Sequence, residues 1–272
     1  MCPARPGTFR VNLNLQIFQD SRLGTRQRNE DRVGHWSTGS AVLMAVADGM
    51  GGHPHGDRAA ETALQTLSEL FLRQAHPELP LPGGFLERAF REAHNALLAQ
   101  AAQWALEENH RTTLVACLVQ KGLLWWAHCG DSRLYLARGG ELVLRTRDHS
   151  FAEFSESLGS ASSPSQEGIP ANILFSCLGG TGRPLIDRGG PWSLAEGDRI
   201  LLCSDGLWGS LSELSVLEGL LQGEMAQAVP ALVHRALQAA GRSSDNVTAL
   251  GCLCMPNEQP GPPVSQQAQP SP

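Results

Sequence analysis

Apolar positions along this chain change period several times, and each change marks an element. Val11, Leu13, Leu15 and Ile17 alternate with polar residues, the period of a half-buried strand. Asp20 to Arg32 is polar and charged, which predicts a loop leading into or along a second strand. Ala41 to Ala47 is apolar at every position, and its length suits a strand covered on both faces. It stops at Asp48-Gly49-Met50-Gly51-Gly52, a loop. From Asp57 to Arg73 the period becomes helical, with Ala60, Ala63, Leu64, Leu67, Leu70 and Phe71 on one face. Pro77 to Gly84 interrupts it, and a longer helix follows with Phe85, Leu86, Ala89, Phe90, Ala93, Leu97 and Ala101 inward.

The middle of the chain predicts strands at Thr112–Val119, Leu123–His128, Arg133–Ala137 and Glu141–Leu144, with Gly139-Gly140 as a hairpin turn. Trp125 and Trp126 are adjacent, so on a strand they face opposite ways, both into core. Glu153 to Pro170 is rich in Ser, Gly and Pro and predicts a flexible loop. Asn172–Cys177 and Arg199–Cys203 read as strands, Leu214–Leu221 and Ala226–Ala240 as helices, and Val247–Cys254 as a closing strand. Residues 256–272 are Pro, Gln, Ser and Gly with too little apolar content to offset the entropy of ordering, so the domain is expected over 1–255 and a disordered tail beyond it. Strands, then helices, then strands argue for an α+β sandwich, and the short turns favour antiparallel pairing. Periodicity alone does not give the strand order.

Composition narrows the function. A chain of 272 residues can bury a core without disulfides or a structural metal. A net charge of -6 argues against nucleic acid, which wants a basic stripe. The seven cysteines include no Cys-x-x-Cys pair, and most lie in apolar runs, so they read as buried free thiols of a reducing compartment rather than a zinc site. Met1 to Arg10 lacks the apolar core of a signal peptide, and no apolar run approaches the roughly 20 residues that span a bilayer. A soluble, cytoplasmic, monomeric protein is expected.

Four aspartates then stand out, each at a strand end and most beside glycine or serine: Asp48 after the first buried strand, Asp131 in Cys-Gly-Asp-Ser-Arg, Asp205 in Cys-Ser-Asp-Gly, and Asp245 in Ser-Ser-Asp-Asn-Val-Thr. A single such aspartate is a turn former. Four together, if the strand ends converge, repel one another unless cations lie between them. An all-oxygen ligand set suits hard ions such as Mg²⁺ or Mn²⁺.

The exact words in their order say more. Arg26-Gln-Arg-Asn-Glu30-Asp31, Val-Ala-Asp48-Gly-Met-Gly-Gly-His, Thr112-Thr-Leu, Gly130-Asp131-Ser-Arg133-Leu-Tyr, Asp148-His-Ser, Leu-Cys-Ser-Asp205-Gly and Asp245-Asn-Val-Thr follow one another along the chain. This ordered set, from Arg26 to Thr248, closely resembles the metal-dependent protein phosphatases of the PPM or type 2C family, and Met50 after Asp-Gly resembles its bacterial branch. The resemblance implies a four-layer α-β-β-α sandwich, two antiparallel sheets flanked by helix pairs, with a two-metal Mn²⁺ or Mg²⁺ centre in a cleft at one end. Carried over by motif, Asp48 bridges both metals, the Gly49 carbonyl binds one, and Asp205 and Asp245 bind the other. Glu30 ligates a metal or holds metal-bound waters, Asp131 belongs to a weaker third site, and Arg26 holds the substrate phosphate. The implied activity is hydrolysis of phosphoserine and phosphothreonine in proteins by a metal-activated water, opposing a bacterial Ser/Thr kinase.

Plainer readings compete at several of these residues. Glu30 and Asp31 could be a solvated pair, and Arg26 a solvated loop arginine. His53 and His55 are read as loop residues after the glycine turn, and Asp148 and His149 as turn supports. The chain departs from the family pattern at Met50, where many eukaryotic members have a histidine that serves as proton donor, and at Arg111, where glycine is common. The 153–170 loop also looks shorter than the flap of bacterial relatives. Two rivals remain: a catalytically silent phosphoprotein-binding module on the same fold, and a hydrolase of small phosphoesters. Gly49 to Gly52 lacks the spacing and the lysine of a nucleotide-binding loop.

Overall fold

The computed structural model describes residues 13–50, 55–76, 78–105, 110–157 and 173–256. Ten strands form two antiparallel sheets of five. In chain order they are β1 (Leu13–Arg22), β2 (Asp31–Ser37), β3 (Ala41–Asp48), β4 (Leu114–Gln120), β5 (Leu123–Cys129), β6 (Arg133–Arg138), β7 (Glu141–Arg145), β8 (Asp187–Ser193), β9 (Arg199–Cys203) and β10 (Val247–Pro256). One sheet runs β1-β10-β9-β6-β7 and the other β2-β3-β4-β5-β8. The helices are α1 (Gly56–Gln74), α2 (Pro82–Gln103), α3 (Phe151–Ser157), α4 (Asp205–Trp208), α5 (Glu213–Leu220) and α6 (Met225–Ala240).

Three apolar layers explain the continuous apolar runs. In β3, Leu43, Ala45 and Ala47 pack on α1 and α2, while Met44 and Val46 face the opposing sheet. β4 divides the same way, with Leu114, Ala116 and Leu118 toward the helices and Val115, Cys117 and Val119 between the sheets. A strand covered on both faces has no place for polar alternation. Trp125 and Trp126 do take opposite sides, one packed toward the helices and one between the sheets. On the far side, α5 and α6 cover β9 and β10 through Val216, Leu220, Val229, Leu232 and Val233. The expected four-layer sandwich is therefore present. Among the described residues the cysteines are free thiols, and all but Cys177 are buried.

Several local expectations fail for identifiable reasons. β1 extends through Asp20, Ser21 and Arg22, which pair with Ala249, Thr248 and Val247. The partner strand imposes the ladder on polar residues, and Arg22 and Asp20, two apart on one face, form an ion pair at 2.9 Å. Asn172–Cys177 is not a strand: its described part contributes only an isolated bridge, Ser150 to Leu174, and Phe175 instead joins an aromatic group with Phe151, Phe154 and His149. The expected 153–170 loop begins as the end of α3, and its remainder lies outside the described residues, as does 257–272 of the expected tail; Pro256 pairs with Leu13. β8, reading Asp-Arg-Gly-Gly-Pro-Trp-Ser, went unforeseen because glycine and proline hide it. It is an edge strand, where proline is tolerated.

Candidate metal-binding active site

The antiparallel order brings particular strand ends to one end of the sandwich. β3 ends there at Asp48, β5 ends just before Asp131, and β9 ends just before Asp205. β2 begins there after Glu30, and β10 begins there after Asp245. The resulting cavity, about 660 Å³, is lined by Arg26, Glu30, Asp48, Gly49, Asp131, Asp205 and Asp245, joined by Met50, Leu174 and Asn246. All seven residues predicted for the site thus meet on one cavity.

The backbone beneath Asp48 is tightly held. Its N–H donates to Thr113 Oγ1 at 3.2 Å, and its carbonyl accepts from the Thr113 N–H and the Thr112 hydroxyl, each at 2.8 Å. The Thr-Thr motif therefore fixes Asp48 and leaves its carboxylate to the cavity. A Cβ on Gly49 would collide with the Gly56 carbonyl, so only glycine admits this close turn.

Asn246 ties down the opposite wall. Its side chain accepts from the Glu30 N–H at 2.8 Å and donates to the carbonyls of Leu23 at 2.8 Å and Arg28 at 3.0 Å. These bonds hold the 23–30 loop, which carries Arg26 and Glu30, against the start of β10. Arg26 donates from Nη2 to Asp245 Oδ2 at 2.6 Å, and this bond raises its already high pKa. The arginine expected to meet phosphate is therefore paired with one of the aspartates. Behind Asp131, Trp208 Nε1 donates to the Asp131 carbonyl at 2.9 Å. The Arg133 guanidinium lies 3.5 Å over the Trp208 ring and is held by both oxygens of Asp148. Asp148 is a support, as expected. His149 also supports this loop, accepting from the Gly130 N–H through Nδ1.

The acids strain against one another. Burial, and then the charges of Asp31, Asp205 and Asp131, hold the Asp48 carboxyl well above the usual carboxylate range. Asp131 is pushed up to about 8 by burial and by Asp205. Asp205 is raised by burial and by Asp245, and Glu30 by burial and by Asp57. Asp48 shares a hydrogen bond with Asp205. Five carboxylates in such a cluster are met by two lining arginines, Arg26 and Arg28, which leaves an excess of negative charge. Hard divalent cations fit it on charge and on donor type.

Sequence reasoning undervalued Asp31. It is not solvated but 3% exposed, paired across the β2–β3 ladder with Asp48 itself. Its Oδ2 accepts from Ser204 Oγ at 2.7 Å, its Oδ1 has no partner, and burial pushes its carboxyl up to about 6. Asn246 and Trp208 were likewise missed as supports. His55 caps α1 in a left-handed conformation, its ring edge-on to Trp104, as befits a loop residue; His53 lies outside the described residues.

Comparison with known proteins agrees with this geometry. The serine/threonine protein phosphatase PstP of Mycobacterium tuberculosis (strain CDC 1551 / Oshkosh) is 34% identical over 248 residues, covering 89% of this chain. The chain spans about half of that relative's length, 45%. The serine/threonine phosphatase stp of Listeria welshimeri is 30% identical over 240 residues, 86% of this chain and 93% of its own. A crystal structure of the catalytic domain of PstP in complex with two manganese ions superposes with a TM-score of 0.75 at 32% identity, covering 90% of this chain and all of that one. The family description protein phosphatase 2C matches residues 18–241. With that match spanning most of its length, the chain belongs to the protein phosphatase 2C family.

Proposed function

We propose that this protein is a metal-dependent phosphatase that removes phosphate from serine and threonine residues of other proteins. The observation that carries the reading is the single cavity on which five carboxylates and Arg26 converge. Asp48 would contact two cations, with the Gly49 carbonyl and Glu30 serving one and Asp205 and Asp245 the other; Asp131 would serve a weaker third. Mn²⁺ is favoured because the PstP catalytic domain was crystallised with two manganese ions, and Mg²⁺ has the same ligand preference. When bound, such cations acidify a water, lowering its pKa from 15.7 toward about 7, and offset charge on the phosphoryl oxygens.

The chain's own residues supply the rest. Arg26 has five N–H donors in a planar fork, and its bond to Asp245 uses only Nη2, so the same guanidinium can also receive phosphoryl oxygens. Its position on the exposed rim suits a group that meets phosphate as it enters. Asn246 sets the height of that loop over the cavity. The serine or threonine leaving group needs a proton, which the Met50 thioether cannot give, and the described lining residues include no histidine. A water of the metal centre would supply it, with His53, which lies outside the described residues, as the alternative donor.

Phosphoprotein substrates imply an opposing Ser/Thr kinase. Among the described residues no helix is long and apolar enough to cross a membrane. The reading is tested with a panel of phosphothreonine and phosphoserine peptides against small phosphoesters, each with and without Mn²⁺. Metal-dependent turnover that favours the peptides supports it. Peptide binding without turnover indicates a silent binding module, and preference for small esters indicates a different hydrolase.

A further inference from the structure

Behind the catalytic cavity, three metal-ligating side chains converge on a second site. His128, near the end of β5, lies directly opposite Asp187 in the β5–β8 ladder. His149 reaches the same place from the segment before α3, its ring centroid 4.5 Å from that of His128. One ligand atom from each of the three residues lies within 4.8 Å of the others. The His149 Nε2 to Asp187 Oδ2 separation is 3.4 Å. With bonds of about 2.1 Å, two ligands of a tetrahedral zinc site stand about 3.4 Å apart.

The two imidazoles are 1% and 2% exposed, yet His128 Nδ1 has no hydrogen-bond partner and His149 Nε2 meets only Asp187, at 3.4 Å. A buried polar nitrogen without a partner is uncommon, and His128 Nδ1, beside a second imidazole and a carboxylate, calls for an explanation. His128 donates from Nε2 to the Arg147 carbonyl at 2.7 Å, which leaves the lone pair on Nδ1. A histidine whose far nitrogen is fixed by a backbone carbonyl is the usual support of a metal ligand. The Asp187 side chain is 48% exposed, so the site has an entrance from solvent.

We propose that His128, His149 and Asp187 form a binding site for a transition-metal ion of the Zn²⁺ class, separate from the carboxylate cavity. Two imidazoles and one carboxylate suit Zn²⁺ or Co²⁺ and disfavour Mg²⁺, which takes oxygen. Three protein ligands leave a fourth position for water on the Asp187 side. Burial holds His128 down at about 4 and lowers His149 as well, so both rings are neutral near pH 7 and no imidazolium proton competes.

Loading has a cost that links the site to the cavity. His149 Nδ1 accepts from the Gly130 N–H at 3.2 Å, so the neutral ring carries its proton on Nε2, facing Asp187. To give Nε2 to a metal, the ring must release that proton to solvent and take one up on Nδ1, with no net change in protons. The Gly130 N–H bond then breaks. Gly130 immediately precedes Asp131, so loading the second site is felt at the cavity wall.

The test uses Co²⁺ as a spectroscopic stand-in, added to the full chain in saturating Mg²⁺. Cobalt held by the oxygen-rich cavity is six-coordinate and absorbs weakly, whereas cobalt at the proposed site is four-coordinate and absorbs strongly in the visible. The proposal expects a strong band that Zn²⁺ displaces, together with a shift of the Gly130 amide resonance. Asp187→Asn sits on a half-exposed side chain and should fold. It should weaken Co²⁺ binding at least as much as loss of a ligand's supporting partner does, about 10–100-fold. His128→Gln should abolish the band if its circular dichroism shows a folded protein. A wild-type protein without the four-coordinate band, or a band of unchanged affinity in Asp187→Asn, overturns the proposal.

Discussion

Asn246→Ala is the most informative single change at the site, because it removes a support of the Glu30 backbone without altering any candidate metal-ligating side chain. The side chain is buried and makes three bonds to the loop that carries Arg26 and Glu30. Its removal orphans the Glu30 N–H and two carbonyls. Each fully buried orphan costs about 1–3 kcal/mol, but Leu23 and Arg28 lie in exposed loop where water can replace the amide. The Glu30 N–H therefore dominates, and the total should be about 2–3 kcal/mol. At about 2–4 °C per kcal/mol for a domain of this size, Tm should fall by roughly 5–10 °C. If Asn246 positions the loop, KM for a phosphothreonine peptide should also rise about tenfold, equivalent to about 1.4 kcal/mol, and the Mn²⁺ concentration for half-activity should rise with it. Differential scanning fluorimetry and steady-state phosphate release measure both. A lower Tm with KM and Mn²⁺ dependence unchanged would refute the positioning argument, leaving Asn246 a support of the fold alone.

Three further outcomes follow from the same geometry. Arg26→Ala should raise KM for phosphopeptides clearly and lower kcat only modestly, because the residue sits on the rim; unchanged kinetics would return it to a solvated loop role. Carboxyls held above their unfolded pKa contribute stability that is present at low pH and lost as pH rises through the folded value, about 8 for Asp131. Because bound cations relieve that loss, the Tm gain on adding Mn²⁺ should be larger at pH 8 than at pH 6, and an equal or smaller gain contradicts the reading. Deletion of 257–272 should leave Tm and peptide turnover unchanged, and a fall of several degrees would show that the segment packs on the domain.

What the sequence made legible follows physical lines. The buried strands β3, β4 and β9 declared themselves because both of their faces are covered, and α1, α2 and α6 because only one is. The candidate site was legible because its chemistry sits at strand ends beside glycine or serine, where few residue types fit. Strands whose ladder is imposed by a neighbour were not: Asp20–Arg22 and β8 carry polar residues or glycine and proline, and only pairing makes them strands. Residues 173–177 misled because an apolar run can serve an aromatic cluster as well as a sheet. Asp31 was obscured by standing next to Glu30 in a charged run, where burial cannot be read. The convergence of His128, His149 and Asp187 was invisible for another reason, since it depends on a cross-strand register spanning 59 positions of chain, from 128 to 187.

The central claim is that turnover depends on cations held by the converging carboxylates. The direct measurement is phosphate release from a phosphothreonine peptide by protein stripped with chelator and verified metal-free by elemental analysis, before and after Mn²⁺ is restored, for the wild type, Asp48→Asn and Asp245→Asn. Loss of turnover on stripping, full recovery with Mn²⁺ in the wild type, and losses of orders of magnitude in both folded variants at saturating Mn²⁺ are the predicted results. Undiminished turnover by the verified metal-free protein, or wild-type turnover in Asp48→Asn, would contradict the account.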